Sequence, residues 1–255
     1  PGPEVFFGSP EFYSEVEGVL TFRGNNFRDA PSAGSRAVRD KRLEIVWEVS
    51  TGSISGTGSY WPGTGWTGQP LLVRWPESSR NVMNLSDEAR AKDLVEVIYP
   101  ALDGNIYFLD LETGQPTRGK MKFGFPFKGT GMIDPRGYPL LYVGQGLNEN
   151  GSDLSEFRFR IIDLINQTEL YSLFGRDPLA FRPWGAFDSS GLIDASSDTL
   201  LQAGENGLLY KVDLNTKFES TLGFAKVSVA PHVTKYRYHL LGNDEQGIES
   251  SPAAW

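Results

Sequence analysis

The chain has 255 residues, of which 39% are hydrophobic and 13% aromatic, with 29 glycines and 16 prolines. This composition favours many short strands joined by tight turns and argues against a helical bundle. The formal net charge of −8, without a long basic run, argues against nucleic acid or an anionic membrane surface as the main partner. The absence of cysteine excludes disulfides, thiolate nucleophiles and cysteine-ligated zinc.

The chain opens on Pro-Gly-Pro rather than on methionine. This start predicts that an upstream segment has been removed, either a signal peptide or only the stretch before an arbitrary cut. No apolar run approaches the roughly 20 residues that span a bilayer, so we predict no transmembrane segment. A cysteine-free chain is compatible with both export and the cytosol. We expect an exported protein that is periplasmic, bound to the cell surface or secreted.

The first part of the chain is predicted to contain a lead-in, a strand and a long loop. Residues 1–42 are interpreted as an extended lead-in with one short strand around residues 18–22. Leu43–Val49 alternates apolar and polar residues over the length of a strand, which predicts a strand. Residues 51–68 are so rich in glycine that we expect a loop without regular structure, and long structured loops are often functional.

The next part carries the strongest local signal in the chain. A strand is predicted for residues 69–75, followed by a short surface helix within residues 76–94 that starts near Ser86. In the stretch 97–124, two β-rich runs are joined by Asp103-Gly104. An Asp-Gly pair between such runs is the clearest short-range sign of a hairpin. We therefore predict strand, tight turn, strand, turn and strand over this stretch.

This hairpin recurs along the chain, and the repetition predicts the fold. An aspartate closes the second hairpin strand three times, at Asp110, Asp163 and Asp213, and turn-forming residues follow each time. A glycine-anchored module also precedes each hairpin. Units of four antiparallel strands at a period of about 50 residues are typical of a β-propeller.

We predict an all-β fold, a β-propeller of four-stranded antiparallel blades, with about three complete blades plus the start of a fourth in a single domain of residues 1–255. The blades are predicted at about residues 68–124, 128–174 and 186–224, with 247–255 as the first strand of the next blade. Three blades and a strand cannot close a ring, so both end sheets would be exposed. The chain is therefore interpreted as the N-terminal part of a longer propeller. The remaining blades, missing or present as a separate chain, are its expected partner.

Residues 101–114, ALDGNIYFLDLETG, resemble the repeat of PQQ-like β-propellers. That bacterial superfamily includes quinoprotein alcohol dehydrogenases and BamB-like envelope proteins. For its enzymes, the resemblance implies a quinone cofactor held by Ca²⁺. We find no set of Glu, Asn and Asp that would hold calcium, and no vicinal cysteine pair on which a quinone could stack. The match is to the scaffold, and we expect neither PQQ nor calcium.

The enzymes of that superfamily share a tryptophan-docking pattern, Ala-x-Asp-x-x-Thr-Gly-x-x-x-Trp. Asp110, Thr113 and Gly114 match this pattern, whereas Phe108 and Arg118 stand at its Ala and Trp positions. The resemblance therefore predicts that the tryptophan dock between blades is missing in this chain.

Most residues with catalytic chemistry have a structural interpretation. The recurring aspartates are expected to accept hydrogen bonds from turn N–H groups. The two histidines, His232 and His239, are seven residues apart and have no evident third ligand for a metal. The oxygen-rich segment Asn148–Asp153 lacks the spacing of an EF-hand and is interpreted as a solvated insertion. We expect no catalytic residue and no metal site.

The aromatic residues next to two blade entries are the candidate ligand-binding residues. Tyr60, Trp61 and Trp66 lie in the glycine-rich loop, and Arg182 and Trp184 lie before the third blade. In a propeller, these loops would share one face near the central channel, where ligands usually bind. Such side chains provide amphipathic contact area for sugars, peptides or proteins. The other interpretation, that the rings fill gaps between blades, stays open.

These observations favour a non-catalytic ligand- or protein-binding β-propeller of the bacterial cell envelope or exterior. A protein or a carbohydrate is the expected ligand. The alternative is a PQQ- and calcium-dependent dehydrogenase or a carbohydrate-active enzyme that is completed by missing blades. Assembly work at the envelope, as BamB-like proteins perform it, is a third possibility.

Overall fold

The computed structural model describes residues 4–32, 37, 39–65, 68–221, 223–238 and 247–254. Within this part of the chain, three sheets of four or five antiparallel strands follow one another along the sequence. We call them blades 1, 2 and 3. No helix in the described part is both long and apolar enough to cross a membrane.

Blade 1 is built around the predicted Asp-Gly hairpin. Its region contains a 3-10 helix (Pro10–Phe12), β1 (Gly18–Val19), β2 (Ser53–Gly56), β3 (Ser59–Pro62), β4 (Leu71–Arg74), α1 (Glu77–Arg80), α2 (Asp87–Ala91), β5 (Val95–Pro100), β6 (Asn105–Asp110) and β7 (Met121–Lys122). The sheet order is β1-β4-β5-β6-β7, and β2 pairs with β3 in a separate hairpin. Gly104 turns the β5–β6 hairpin with φ +74°, and a Cβ there would lie 2.6 Å from the Phe125 nitrogen. The predicted helix start is confirmed, since Ser86 Oγ accepts the Ala89 N–H at 3.2 Å.

Blade 2 repeats this design with an inserted hairpin. Its strands are β8 (Met132–Ile133), β9 (Leu140–Gly144), β10 (Glu149–Asn150), β11 (Asp153–Leu154), β12 (Arg158–Asp163) and β13 (Thr168–Phe174). The sheet order is β8-β9-β12-β13, and β10 pairs only with β11 among the described strands. The innermost-to-outermost order therefore follows the sequence, as expected for a propeller blade.

Blade 3 differs from the prediction at its outer edge. Its strands are β14 (Leu192–Asp194), β15 (Thr199–Ala203), β16 (Leu208–Asp213), β17 (Lys217–Thr221), β18 (Phe224–Ser228) and β19 (His232–Arg237). The sheet order is β14-β15-β16-β19. The hairpin β17–β18 is inserted before the outer strand, so the blade extends past residue 224 to residue 237. Three consecutive antiparallel sheets of this kind confirm the predicted all-β propeller with four-stranded blades.

Two apolar layers hold neighbouring blades together. The first layer joins blades 1 and 2 and includes Leu71, Ile98, Phe108, Leu141 and Ile162. The second layer joins blades 2 and 3 and includes Tyr142, Phe159, Ile161, Leu200 and Tyr210. Full burial of one such side chain contributes roughly 1.5–3 kcal/mol, so these layers are the main source of stability.

Two of the three aspartates that close the hairpins accept turn N–H groups, as the sequence predicts; Asp213 instead accepts the Thr199 hydroxyl at 3.4 Å. Asp110 accepts the Glu112 N–H at 3.0 Å and the Thr113 hydroxyl at 2.8 Å. Asp163 accepts the Ile165 N–H at 2.7 Å. These bonds satisfy turn donors that would otherwise have no partner.

The lead-in runs along the innermost strands of all three blades. Val19 pairs with Leu72 in blade 1. The carbonyl of Leu20 accepts the Ile133 N–H of blade 2 at 2.8 Å. The Thr21 hydroxyl donates to the Gly191 carbonyl of blade 3 at 3.0 Å. The predicted short strand therefore exists, and the lead-in ties the three sheets together at their centre.

The strand predicted for residues 43–49 is wrong for the chain as described. These residues form no strand, and Leu43 and Ile45 are 94% and 82% exposed. The alternation that indicates a strand is present, but no sheet edge lies beside it to supply hydrogen bonds.

The prediction that the tryptophan dock is missing is also wrong. The Trp47 indole Nε1 donates to the Leu111 carbonyl at 2.9 Å. Its ring lies on Gly114, where an added Cβ would be 2.6 Å from the ring. A tryptophan from another segment thus occupies the turn. Arg118, at the expected tryptophan position, instead forms a buried ion pair with Glu96.

Residues 247–254 lie against the lead-in and form no strand. Arg28 Nε donates to the Pro252 carbonyl at 2.8 Å. Asn26 and Ala254 exchange two hydrogen bonds, both at 2.9 Å. Trp255 lies outside the described residues, and the assignment of 247–255 to a further blade stays a prediction.

Candidate functional site

One end of the blades, which we call the loop end, carries the connections into the innermost strands and the turns between the second and third strands. Both segments that contain the predicted aromatic residues lie there. The Gly52 N–H donates to Asp103 in the hairpin turn of blade 1 at 2.9 Å. The Phe181 N–H donates to the Asn206 carbonyl in the corresponding turn of blade 3 at 2.9 Å.

The glycine-rich segment is more regular than predicted. Ser53–Gly56 and Ser59–Pro62 pair in a hairpin with Ile54 opposite Trp61. Gly58, with φ +77°, allows the tight turn between them. Ile54 is buried, so one face of the hairpin is anchored on the protein. The sequence did not predict this hairpin, because a high glycine content lowers strand propensity, although it does not prevent two strands from pairing.

The hairpin places the predicted aromatic residues differently. Tyr60 is 63% exposed. Trp61 is half-buried, and its indole donates to Ser59 Oγ at 3.1 Å. Trp66 lies outside the described residues. Tyr60 is therefore available to a ligand, whereas Trp61 is partly engaged within the hairpin.

A second hairpin, β10–β11 of blade 2, lies directly beside the first. The Gly151 N–H donates to the Ser55 carbonyl, and a Cβ on Gly56 would meet the Glu149 carboxylate. Leu154 at the end of this hairpin is 72% exposed. We call residues 53–62 and 149–154 together the ridge. The predicted solvated insertion 148–153 is thus part of a structured projection.

Trp184 and Arg182 have separate surroundings. The Trp184 ring packs against Phe157 at the base of the second hairpin, with 4.7 Å between ring centroids, and stays partly exposed. Arg182 pairs with Glu205, with 3.2 Å between Nη2 and Oε2. Trp184 therefore adjoins the ridge, whereas Arg182 belongs to a charged cluster at the centre of the loop end.

This charged cluster comprises Lys128, Asp188, Glu205 and Arg182, and sequence reasoning missed three of its members. Lys128 Nζ contacts the Asp188 carboxylate and lies 3.6 Å from Glu205 Oε1. The Asp188 side chain is only 8% exposed. Burial first, and the neighbouring Glu205 carboxyl second, raise the pKa of Asp188 to about 8.

A sequence signal for the cluster did exist. Lys128 and Asp188 each stand three residues before the module glycine of their blade, Gly131 and Gly191. Opposite charges at one position of successive repeats are adjacent in a propeller, because equivalent positions of neighbouring blades lie side by side.

The cluster does not fit calcium or a calcium-bound quinone. Ca²⁺ takes six to eight oxygen ligands, whereas this site offers two carboxylates that already contact the Lys128 ammonium. In the described part of the chain, no three His, Asp or Glu side chains are placed to hold a metal ion. His232 lies 3.7 Å from Asp213 and is mostly exposed, and His239 is outside the described residues.

A cavity of about 460 Å³ adjoins the cluster, between the lead-in and residues 249–253. Asp188 and Arg28 line it. All donors of Arg28 are used by carbonyls and one hydroxyl, none by a carboxylate. Burial lowers the pKa of this guanidinium to about 10. Arg28 therefore fastens the two terminal segments to blade 3 rather than presenting a free binding group.

Comparisons with protein-family models and with curated proteins found no match. Solved structures do resemble the chain. BamB from Moraxella catarrhalis is 14% identical, with a TM-score of 0.34, over 65% of this chain and 57% of that one. A europium-containing methanol dehydrogenase is 12% identical, with a TM-score of 0.41, over 91% and 57%. Quinohemoprotein alcohol dehydrogenase from Comamonas testosteroni is 12% identical, with a TM-score of 0.43, over 87% and 41%.

The chain thus spans about half the length of these structures. Their identities and TM-scores leave activity undecided, since one propeller scaffold carries both enzymes and non-catalytic proteins. The resemblance to PQQ-like propellers therefore stays with the repeat in residues 101–114.

Proposed function

We propose that this chain is part of an exported, non-catalytic β-propeller that binds another protein through the ridge at its loop end. The rigid blades hold the ridge, and affinity comes from burial of its exposed apolar and aromatic side chains. No reaction step is assigned to any residue.

The observation that carries this proposal is the exposure of Tyr60 and Leu154 on two adjoining hairpins. Neither hairpin belongs to a blade sheet. The two are held to each other by a backbone hydrogen bond from Gly151 to Ser55. A preformed surface of this kind loses little conformational entropy on binding, which favours association.

The enzymatic alternative lacks a comparable observation. The buried carboxylates of the loop end are engaged by Lys128 and Arg182. A carboxyl group whose oxygen atoms already contact a lysine or arginine side chain is poorly placed to coordinate a metal or a substrate. The PQQ- and calcium-dependent alternative therefore has no support in the described residues.

The test uses the purified chain as bait in envelope extracts of the cells that produce it. The variant Tyr60→Ala with Leu154→Ser changes the ridge. The control, Tyr236→Ala, changes an exposed aromatic residue on the outer strand of blade 3. One protein should be recovered with the wild type and the control, and at least tenfold less with the ridge variant at an unchanged melting temperature.

Equal recovery with the ridge variant would contradict the proposal. So would reduction of a dye by the purified protein with PQQ, Ca²⁺ and an alcohol, because that result would establish the enzymatic alternative.

A further inference from the structure

The two hairpins of the ridge lie edge to edge. β2 pairs with β3, and β10 pairs with β11. The Gly151 N–H at the turn of the second hairpin donates to the Ser55 carbonyl of β2. A Cβ on Gly56 of β2 would lie 2.6 Å from Oε2 of Glu149 in β10. Since β2 and β10 face each other, the outer edges of the ridge are β3 on one side and β11 on the other.

The register of the second hairpin shows which backbone groups of β11 point outward. Asn150 and Asp153 pair across a two-residue turn, and Leu154 is the next residue along the strand. In such a hairpin the pair that flanks the turn exchanges hydrogen bonds, and the following pair does not. The Ser155 N–H, one residue further, donates to the Asn148 carbonyl at 2.9 Å, which fits this alternation. The N–H and C=O groups of Leu154 therefore point away from β10.

The outward groups of β11 are open to another strand. Residues 151–154 are all exposed, and no described residue forms a backbone hydrogen bond with Leu154. On the opposite edge, the register directs the backbone of Tyr60 outward as well. The next outward position of β3 is Pro62, which has no N–H to donate. An added strand is therefore better accommodated by β11 than by β3.

The ridge carries charge of one sign only. Glu149 and Asp153 are its charged residues, and residues 53–62 contain none. Asp153 and Leu154 point to opposite faces of β11, because successive side chains of a strand alternate. A strand with apolar residues on the Leu154 face and Lys or Arg on the Asp153 face complements both. A second copy of β11 would bring like charges together, which argues against a dimer through this edge.

We infer that the edge of β11 receives an extended segment of another protein, in which apolar and basic residues alternate, as an added strand. The inference rests on the proposed protein-binding role of the ridge and names the chemistry of the partner. The N–H and C=O groups of Leu154 form the backbone hydrogen bonds to this segment. The side chains of Leu154 and Asp153 select its apolar and basic faces.

A synthetic octapeptide of alternating valine and lysine tests the charge of the partner. Its binding to the purified chain is measured by fluorescence anisotropy, beside an octapeptide of alternating valine and glutamate. The valine-lysine peptide should bind about tenfold more tightly than the valine-glutamate peptide. Asp153→Asn should weaken this binding about threefold, as expected for one exposed charge. The control Glu219→Gln, in the inserted hairpin of blade 3, should leave it unchanged.

The variant Leu154→Pro tests the added strand itself. Proline removes an N–H group that forms no bond within the hairpin, so the melting temperature should stay unchanged. The matched control Leu154→Val keeps both the N–H and an apolar side chain. Leu154→Pro should bind the valine-lysine peptide about tenfold more weakly than Leu154→Val. In the wild type, the peptide should slow hydrogen exchange of the Leu154 amide and not of the Tyr60 amide.

Three results would overturn the inference. Equal binding of the two peptides, or binding of neither, would show that the acidic edge selects no basic segment. Equal affinity of Leu154→Pro and Leu154→Val would show that no strand is added. Protection of the Tyr60 amide in place of the Leu154 amide would place the ligand on β3. If the ridge variant loses its protein from the envelope extract but Leu154→Pro keeps the peptide, the proposed function stands and this inference alone fails.

Discussion

Replacing Arg118 with leucine should cost far more stability than the loss of a surface ion pair. The side chains of Arg118 and Glu96 are 1% and 0% exposed, with 2.6 Å between Nη2 and Oε2. Glu96 also accepts the Trp75 indole N–H at 2.8 Å. The substitution leaves a buried carboxylate without its cation, and we expect a loss of about 3–5 kcal/mol in the free energy of unfolding.

The same substitution removes a contact between blades. Arg118 Nη1 donates to the Leu164 carbonyl of blade 2 at 2.5 Å. A hydrogen bond from a charged donor contributes about 1.5–3 kcal/mol, and this contribution is included in the expected loss. The double variant Glu96→Leu with Arg118→Leu removes both charges. It should be more stable than Arg118→Leu alone, because apolar replacement of a complete buried pair is often neutral.

Urea unfolding followed by tryptophan fluorescence measures these differences, since Trp75 lies beside the pair. The double variant separates the cost of the unpaired carboxylate from the cost of lost packing. A loss below about 1 kcal/mol for Arg118→Leu, as for an exposed ion pair, would refute the reasoning. A double variant no more stable than the single one would refute it as well.

Three further predictions concern other parts of the chain. Gly114 has φ +70° and lies against Trp47, so Gly114→Ala should lower the free energy of unfolding by about 1–3 kcal/mol and change the fluorescence of Trp47. The control Gly119→Ala has open space around the added Cβ and should have neither effect. The pKa of Asp188 in the folded protein is about 8, so at pH values between about 4 and 8 the folded protein keeps a proton that the unfolded chain has lost. The melting temperature should therefore decrease as the pH rises from about 4 to 8. The variant Asp188→Asn should make the melting temperature less dependent on pH over this range. Arg28→Met removes the hydrogen bond to the Pro252 carbonyl and should therefore accelerate amide hydrogen exchange in residues 247–254. Unchanged exchange would show that this hydrogen bond does not stabilise the segment.

Local signals predicted much of the fold. The Asp103-Gly104 turn and its flanking strands are confirmed because hairpin pairing depends on neighbours in sequence. The recurring Asp110 and Asp163 accept turn N–H groups, which the residue types alone indicate. Repetition of this unit was enough to predict the propeller.

The errors arise where distant or inserted segments decide the structure. The Trp47 contact with Gly114 joins residues far apart in sequence, so the pattern around Arg118 alone could not reveal it. The inserted hairpin before β19 displaced the outer strand of blade 3. At the candidate site, Tyr60 and Trp184 were proposed from residue type and position; the structure places Tyr60 on the ridge and Trp184 beside it, and their role in binding stays a prediction. Asp188 was missed because its residue type becomes informative only when its repeat position is compared with that of Lys128 in the preceding blade.

The central position of the lead-in imposes an order on folding. The Phe6 N–H bond to Asp194 spans 188 residues, and the Thr21 contact with Ser190 spans 169. At a synthesis rate of 5–20 residues per second, blade 3 emerges roughly 10–40 s after the lead-in. During that interval the lead-in cannot form its contacts with blade 3, whereas each blade can pair its own strands as soon as they are synthesised. The lead-in is therefore the last of these segments to form its native contacts, and it joins blades whose own strands have already paired.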